Sequence, residues 1–326
     1  MEYMPDFQVL RPASLEDAVS LRADNPDARF LAGGTDLLVN VRRGIVDSPT
    51  LIDLNSIIEM HEIAERDDGG LRIGCAVTLA EMTNDPRISE RYPAIAEAAG
   101  EVAGATHREV ATLGGNLCLD TRCVFYNQSE WWRNANNYCL KYGGDTCHVA
   151  PSGNECFAAF SGDVAPAILV HSGEVEVAGS NGHRTLFLSD LYNDDGMDHL
   201  RIGKDEIVIA VNLPAPENWC SGYQKVRVRG AIDFPLAGVA IALKRDGDVL
   251  SDIRVGLTGT NARPILVDGT DSLIGKVFDE DLLENLLSLI PKQIQPMTST
   301  FTPPGYRRKV VANMTRALIH KIFCIA

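Results

Sequence analysis

The sequence predicts an α+β protein: two α/β units in the first two thirds, then a C-terminal domain of antiparallel sheet and helices. Three observations predict it. A strand-like run, Ala28-Arg29-Phe30-Leu31-Ala32, enters Gly33-Gly34-Thr35-Asp36 and a helical run. A similar strand, helix and Gly-Gly order recurs from Leu71 to Leu117. The last third alternates apolar and polar residues about Arg245-Asp246-Gly247-Asp248, a turn of hairpin type, and ends in two helical stretches. A chain of 326 residues is long enough for two or three packed domains.

The elements follow in order. Ser14 caps a helix whose first turn carries Glu16 and Asp17. Leu37–Arg43 is a second helix, closed by Gly44, and Thr50–Leu54 a strand. Leu71–Ala76 is a strand, Thr78 caps the next helix, and Pro93–Val102 is an Ala- and Glu-rich helix. Thr112-Leu113-Gly114-Gly115-Asn116-Leu117 reads as a second Gly-Gly turn. From Leu119 to Ala159 no period of 2.0 or 3.6 residues holds. The aromatic content of that stretch argues against disorder, so something other than regular structure must hold it. Val164–Val170 reads as buried, Glu174–Val177 and Glu206–Val211 as half-buried strands, and Pro214–Asn218 as a linker. Gln224–Arg229, Ala237–Leu243 and Ile253–Leu257 read as strands, and 279–290 and 306–323 as helices. The domain boundaries expected are 1–60, 61–216 and 217–326.

With 30 Lys+Arg against 44 Asp+Glu the net charge is −14, which argues against nucleic-acid binding. No apolar run is long enough for a membrane span, and the acidic start Met1-Glu2-Tyr3-Met4-Pro5-Asp6 lacks a secretory pattern, so a cytoplasmic location is expected. Of eight cysteines, five fall within 39 residues: Cys118-x4-Cys123-x15-Cys139-x7-Cys147-x8-Cys156. In a reducing compartment such a group reads as metal-binding more readily than as disulfides. The lack of a C-x-x-C pair weakens zinc-ribbon and thioredoxin readings, although His148 beside Cys147 keeps a Cys/His zinc site open. Four thiolates from a long irregular loop suit an iron–sulfur cluster, which would serve as the loop's scaffold. Cys75, Cys220 and Cys324 lie in or beside apolar segments and read as ordinary core cysteines.

Glycines between a strand and a helix let backbone amides approach a phosphate. A plain tight turn explains one Gly-Gly pair; two pairs, each followed by a small polar residue (Thr35, Asn116), fit a dinucleotide with two grip points. Neither matches the Rossmann or P-loop pattern.

Phe30-Leu31-Ala32-Gly33-Gly34-Thr35-Asp36-Leu37 and Thr112-Leu113-Gly114-Gly115-Asn116 resemble the two flavin motifs of the FAD-binding medium subunit of the xanthine oxidase family of molybdenum enzymes. The resemblance spans the chain, including a C-terminal domain like that of the carbon monoxide dehydrogenase flavoprotein. It implies a vanillyl-alcohol-oxidase/PCMH-like FAD domain and makes all thirteen of those residues FAD-binding. Asp163 and Lys225 fall where the family places polar contacts to the flavin, and Lys225 and Arg229 match its Lys-x3-Arg spacing. Family members pass almost directly from the second motif to a Ser-Asp segment, here Ser161-Gly162-Asp163, in which Gly162 is extra. The insertion of about 40 residues before it is similar to the branch represented by the β subunit of 4-hydroxybenzoyl-CoA reductase, which carries FAD and a [4Fe–4S] cluster. By that resemblance Cys123, Cys139, Cys147 and Cys156 ligate the cluster and Cys118 is a non-ligand neighbour.

The same resemblance implies an oxidoreductase subunit with no catalytic residue of its own. Its partners would be a molybdopterin-binding large subunit and a [2Fe–2S] small subunit in a heterohexamer-type complex. Ferredoxin would supply electrons for reductive dehydroxylation of 4-hydroxybenzoyl-CoA to benzoyl-CoA, in anaerobic aromatic degradation. Arg122, Arg133 and Lys141 are candidates for a basic ferredoxin-docking patch. Two other readings stand beside this one: a molybdenum hydroxylase flavin subunit passing electrons outward, and a zinc-stabilised binding module without flavin.

Overall fold

The computed structural model describes residues 4–325, with side chains described for residues 4–323. Its strands form three sheets. The first is parallel, with β3 (Thr50–Asp53) between β1 (Gln8–Leu10) and β2 (Arg29–Leu31); Gln8 pairs with Thr50 and Arg29 with Leu51. Helix α1 (Leu15–Asp24) starts where Ser14 Oγ accepts from the Asp17 amide. Helix α2 (Leu37–Arg42) follows the first Gly-Gly turn and stops at Gly44, whose φ of 64° is open to glycine at little cost.

The second sheet is antiparallel, in the order β4-β5-β8-β6-β7: β4 (Ile63–Glu65), β5 (Leu71–Gly74), β6 (Glu174–Gly179), β7 (Gly182–Phe187) and β8 (Ile207–Leu213). Short helices pack between its strands in sequence: α3 (Leu79–Asn84), α4 (Pro86–Ser89), α5 (Pro93–Gly100), α6 (Ala105–Arg108) and α7 (Leu113–Leu117). Thr78 and Glu81 close a reciprocal capping box on α3. Helix α8 (Glu130–Ala135) lies in the inserted segment, and α9 (Val164–Val170) follows it. All seven residues of α9 are buried, because it is wedged between α5 on one side and the C-terminal sheet on the other.

The third sheet is antiparallel, β12-β11-β10-β9: β9 (Cys220–Val226), β10 (Ala237–Asp246), β11 (Val249–Thr258) and β12 (Ile265–Leu266). Gly247 and Asp248 turn β10 into β11. Helices α10 (Glu280–Leu289) and α11 (Pro304–Ile325) complete the domain, with α11 packed on β9 and β10. One apolar core joins the first two sheets and a second fills the C-terminal domain, so the α+β class holds.

Several local expectations differ from the structure. The second Gly-Gly segment is a short helix, capped by Thr112 Oγ1 accepting from the Gly115 amide, so Gly114 and Gly115 lie inside a helical turn. Strand β8 is buried on both faces because α-helical segments and neighbouring strands cover it, hence its failure to alternate in exposure. Arg227 to Arg229 alternate like a strand but leave the sheet after Val226 for a loop over the large cleft. Helix α8 went unread although Ser129 caps it by accepting from the Trp132 amide.

Candidate functional site

A cleft of about 1210 Å³ is walled by the first two sheets and by the loop that follows β9. Both glycine motifs reach it. Gly34 has φ 70°, and a Cβ on Gly33 would lie 1.9 Å from the Val110 carbonyl oxygen, so the two motifs are pressed together at a contact only glycine allows. Phe30, Ala32, Gly33, Gly34, Thr35, Asp36 and Leu37 line the cleft from one side; Thr112, Gly114, Gly115 and Asn116 line it from the other. Leu31, Leu113 and Lys225 are not on its wall. Leu113 is fully buried in the main core and Leu31 is half-buried at the end of β2. These two brace the motifs, because alternate residues along a strand or helix turn must face the core.

Lys225 acts behind the wall. Its Nζ donates to Asp163 Oδ2 at 2.9 Å and to the Glu101 carbonyl at 3.1 Å, with side-chain exposures of 1% and 4% for Lys225 and Asp163. Tyr223 donates its hydroxyl to Asp163 Oδ1 at 2.6 Å. Burial raises the Asp163 carboxyl above the usual range, and Lys225 opposes that shift. Asp163 is thus the member of the pair that faces the cleft. Sequence reading missed Tyr223, whose hydroxyl completes the carboxylate's partners; it sits two residues before Lys225 on the same face of β9. Gly162 also finds its reason, since a Cβ there would lie 2.5 Å from the Asn116 carbonyl oxygen. Asn116 in turn accepts from the Val164 amide at 3.0 Å, fixing the second motif to α9.

The inserted segment begins and ends at a two-way pairing of Arg122 with Ala159, 2.7 and 2.8 Å. Cys123, Cys139, Cys147 and Cys156 are all buried and unpaired by disulfide. Cys123, Cys139 and Cys156 share a small apolar nest with Ile45, Tyr126 and Ala158. Burial raises the Cys123 thiol, with Cys139 and Cys147 adding to the effect. Burial pushes Cys156 up to about 12, with Cys147 and Cys123 again contributing. As the side chains lie, no three or more His, Cys, Asp or Glu among the described residues are arranged to hold a metal ion. Three of the four cysteines thus share one nest, and the four form no closed ligand set. His148 spends its Nε2 on the Tyr138 carbonyl at 2.8 Å. Cys118 ends α7 beside Cys75 in the main core, apart from the nest, and burial alone pushes its thiol up to about 12. Cys75 is buried in the main core and Cys220 packs on the second; the side chain of Cys324 lies outside the described residues.

The basic patch expected on the insert does not exist. Side-chain exposures of Arg122, Arg133 and Lys141 are 17%, 0% and 5%. Arg133 donates to the Gly44 carbonyl at 2.8 Å and Glu130 Oε2 at 2.7 Å, and its guanidinium lies 4.0 Å from the Tyr142 ring centre. Lys141 donates to Asp120 Oδ1 at 2.6 Å and the Gly196 carbonyl at 2.9 Å. Arg122 is ion-paired with Asp36. In a segment with few regular backbone pairs, these three cations are drawn inward to groups of neighbouring parts of the chain, the Gly44 and Gly196 carbonyls and the Asp36 carboxylate among them.

Fold and cleft together define an FAD-binding protein of the molybdenum hydroxylases. Residues 5–216 match the family described as the FAD binding domain in molybdopterin dehydrogenase, and residues 221–322 the CO dehydrogenase flavoprotein C-terminal domain. The chain belongs to this family, as an FAD-binding medium subunit of the xanthine oxidase type.

Among its relatives, the aldehyde oxidoreductase FAD-binding subunit PaoB of Escherichia coli (strain K12) is 31% identical over 77% of this chain and 80% of that one. The putative xanthine dehydrogenase FAD-binding subunit XdhB of the same organism is 26% identical, covering 97% and 96%. The carbon monoxide dehydrogenase medium chain of Hydrogenophaga pseudoflava is 27% identical, covering 97% and 96%. A crystal structure of Cu,Mo-CO dehydrogenase shares the fold with a TM-score of 0.82 at 22% identity, over 99% of this chain and 100% of that one. No helix among the described residues is long and apolar enough to cross a membrane.

Proposed function

We propose that this chain is the FAD-carrying electron-transfer subunit of a molybdenum enzyme complex and that its inserted segment carries a [4Fe–4S] cluster on Cys123, Cys139, Cys147 and Cys156. The observation that carries the second half is the gathering of buried cysteines in the insert: Cys123, Cys139 and Cys156 share one apolar nest, and Cys147 acts electrostatically on Cys123 and Cys156. The side chains lie without the spacing of a finished ligand set, so incorporation requires them to draw together. Residues 30–37 and 112–116 form the FAD cradle, with Asp163 as a polar contact to the flavin and Lys225 as the group that holds Asp163. The two FAD subdomains divide near residue 60, and the C-terminal domain starts near 217.

When bound, the flavin and the cluster supply carriers for two and for one electron. The partners are a molybdopterin-binding large subunit and a [2Fe–2S] small subunit, and a complex of this kind stays in aqueous solution. The insert supports electron entry through the cluster from a low-potential donor such as ferredoxin. With the resemblance of the insert to that branch, it supports reductive dehydroxylation of 4-hydroxybenzoyl-CoA as the reaction of the complex. Ferredoxin docking on a patch of Arg122, Arg133 and Lys141 is no part of the proposal, because those cations are spent inside the protein.

A second reading has its own support. The xanthine, aldehyde and carbon monoxide relatives favour a hydroxylase subunit passing electrons outward from molybdenum. Membership in an FAD-binding family sets aside the flavin-free zinc module. The test is turnover by the intact complex under anaerobic conditions. Benzoyl-CoA formed from 4-hydroxybenzoyl-CoA and reduced ferredoxin supports inward flow. Hydroxylation of a xanthine or aldehyde substrate, with no benzoyl-CoA formed, overturns it in favour of the outward reading.

A further inference from the structure

Charge is unevenly placed along this chain. Its last 42 residues, 285–326, hold six Lys or Arg and no Asp or Glu, within a protein of net charge −14. Three of the six, Arg307, Arg308 and Lys309, crowd the first two turns of α11, whose first turn carries no acid to offset them. Cations near a helix N-terminus oppose the helix dipole, so helix stability gives no reason for them. Arg307 has a structural reason: it is fully buried and donates to the Gly259 carbonyl at 2.6 Å and to the Met297 carbonyl. Arg308 and Lys309 have none, since both are exposed and neither makes an ion pair among the described residues. Two large aromatics stand beside them, Phe301 at 93% exposure and Tyr306 at 47%. Tyr306 and Lys309, three residues apart, share one face of α11.

This patch is joined to the insert. The Val124 amide donates to the Ser299 carbonyl at 2.9 Å, and Arg307 Nη2 lies 3.5 Å from Ser299 Oγ. Val124 adjoins Cys123, and Ser299 stands two residues before Phe301. Phe301 is thus one hydrogen bond and three chain steps, of about 3.8 Å each, from Cys123. The acids Glu155, Asp194, Asp195 and Asp198 line a separate cavity. There Asp194 pairs with Arg263 at 3.6 Å and Asp195 accepts from the Cys156 and Met197 amides.

We propose that Phe301, Tyr306, Arg308 and Lys309 form the docking surface for an acidic, low-potential iron–sulfur carrier protein of the ferredoxin kind. Positive charge on an otherwise acidic protein steers such a partner to one place and turns it away from the rest. The two aromatics supply the apolar anchor. In the docked pair one electron leaves the reduced carrier and enters the insert's cluster, and no atom changes hands. The inference rests on the cluster-bearing reading of the insert and adds where its electron partner lands, a place that the buried Arg122, Arg133 and Lys141 do not supply.

The test uses the intact complex purified without oxygen and a bacterial ferredoxin of net negative charge. Binding of oxidised ferredoxin is titrated at low ionic strength, and reduction of the complex by reduced ferredoxin is followed by stopped flow. Reduced methyl viologen serves as the reductant that needs no docking. The double variant Arg308→Glu, Lys309→Glu lowers the second-order rate with ferredoxin about tenfold or more and flattens its dependence on salt, while the methyl viologen rate stays as in the wild type. Phe301→Ala weakens ferredoxin binding about fivefold. His320→Glu, three turns further along α11, controls for net charge and leaves the ferredoxin rate near that of the wild type. A wild type that binds ferredoxin, with a double variant that binds and reacts equally well, overturns the docking site alone. Equal slowing by His320→Glu also overturns it, by making the effect one of overall charge. A double variant that no longer co-purifies with its partner subunits overturns it by placing this face inside the complex. A wild type that neither binds nor exchanges electrons with ferredoxin overturns it together with the reading on which it rests.

Discussion

The walls of the flavin cleft around Gly33 and Gly114 are strand ends and helical turns whose amides pair with other backbone groups, as Gly114 does with the Cys75 carbonyl at 2.9 Å. Residues 119–159 contain one six-residue helix, and buried cations hold them instead: Arg133 on Gly44, Lys141 on Gly196, Arg122 on Asp36. The first region is rigid because its backbone satisfies itself and its side chains join the main core. The second has only a small apolar nest around its cysteines and depends on groups outside itself. The difference teaches that the cleft can form before any ligand arrives, whereas on the proposed function the insert becomes equally firm only with its cluster in place.

The sharpest way to break this contrast is to remove a thiolate. Cys139→Ser abolishes the [4Fe–4S] signal or converts it, and raises amide exchange across 119–159, while most of the FAD stays bound. Iron analysis with hydrogen exchange reads both; a normal cluster in the variant refutes the ligand assignment. Next in size is Lys225→Met. It leaves the Asp163 carboxylate buried without its cation and costs about 3–5 kcal/mol in the flavin half, read as a lower unfolding midpoint with iron content unchanged.

Gly34→Val comes third. A side chain at φ 70° costs about 1–2 kcal/mol, and its Cβ would meet Leu38 Cδ1 at 2.8 Å. FAD affinity falls and the cluster is spared, so equal loss of both cofactors counts against independent sites.

The gentlest probe is pH. Burial holds His171 down to about 3 and His199 down to about 4. Both folded values lie below the unfolded value of about 6.5, so the unfolded chain takes up protons first as pH falls. The stability these groups contribute is whole above about pH 6.5 and is lost progressively as pH falls toward 4 for His199 and 3 for His171. Melting temperatures measured from pH 7.5 down to 5 decline, and the double variant His171→Asn, His199→Asn flattens that slope.

Much of the framework around the cleft was legible in sequence because local rules act there. The caps at Ser14 and Thr78 and the stop at Gly44 each need only neighbouring residues. The helical state of Gly114 and Gly115 was not legible, since it depends on α7 packing against Cys75 across the fold. The sequence also hid the fate of the insert's cations. Arg122, Arg133 and Lys141 look like a surface patch until the carbonyls of Gly44 and Gly196 and the carboxylate of Asp36 are brought beside them in space. Tyr223 escaped notice for the same reason, as its partner Asp163 lies 60 positions away.

The most direct test of the central claim is cofactor stoichiometry of the protein purified without oxygen. The account predicts one FAD with about four irons and matching acid-labile sulfide per chain, the iron falling away in Cys123, Cys139, Cys147 or Cys156 variants and persisting in Cys118→Ser. FAD with no iron, or with iron that survives loss of those four cysteines, would contradict it.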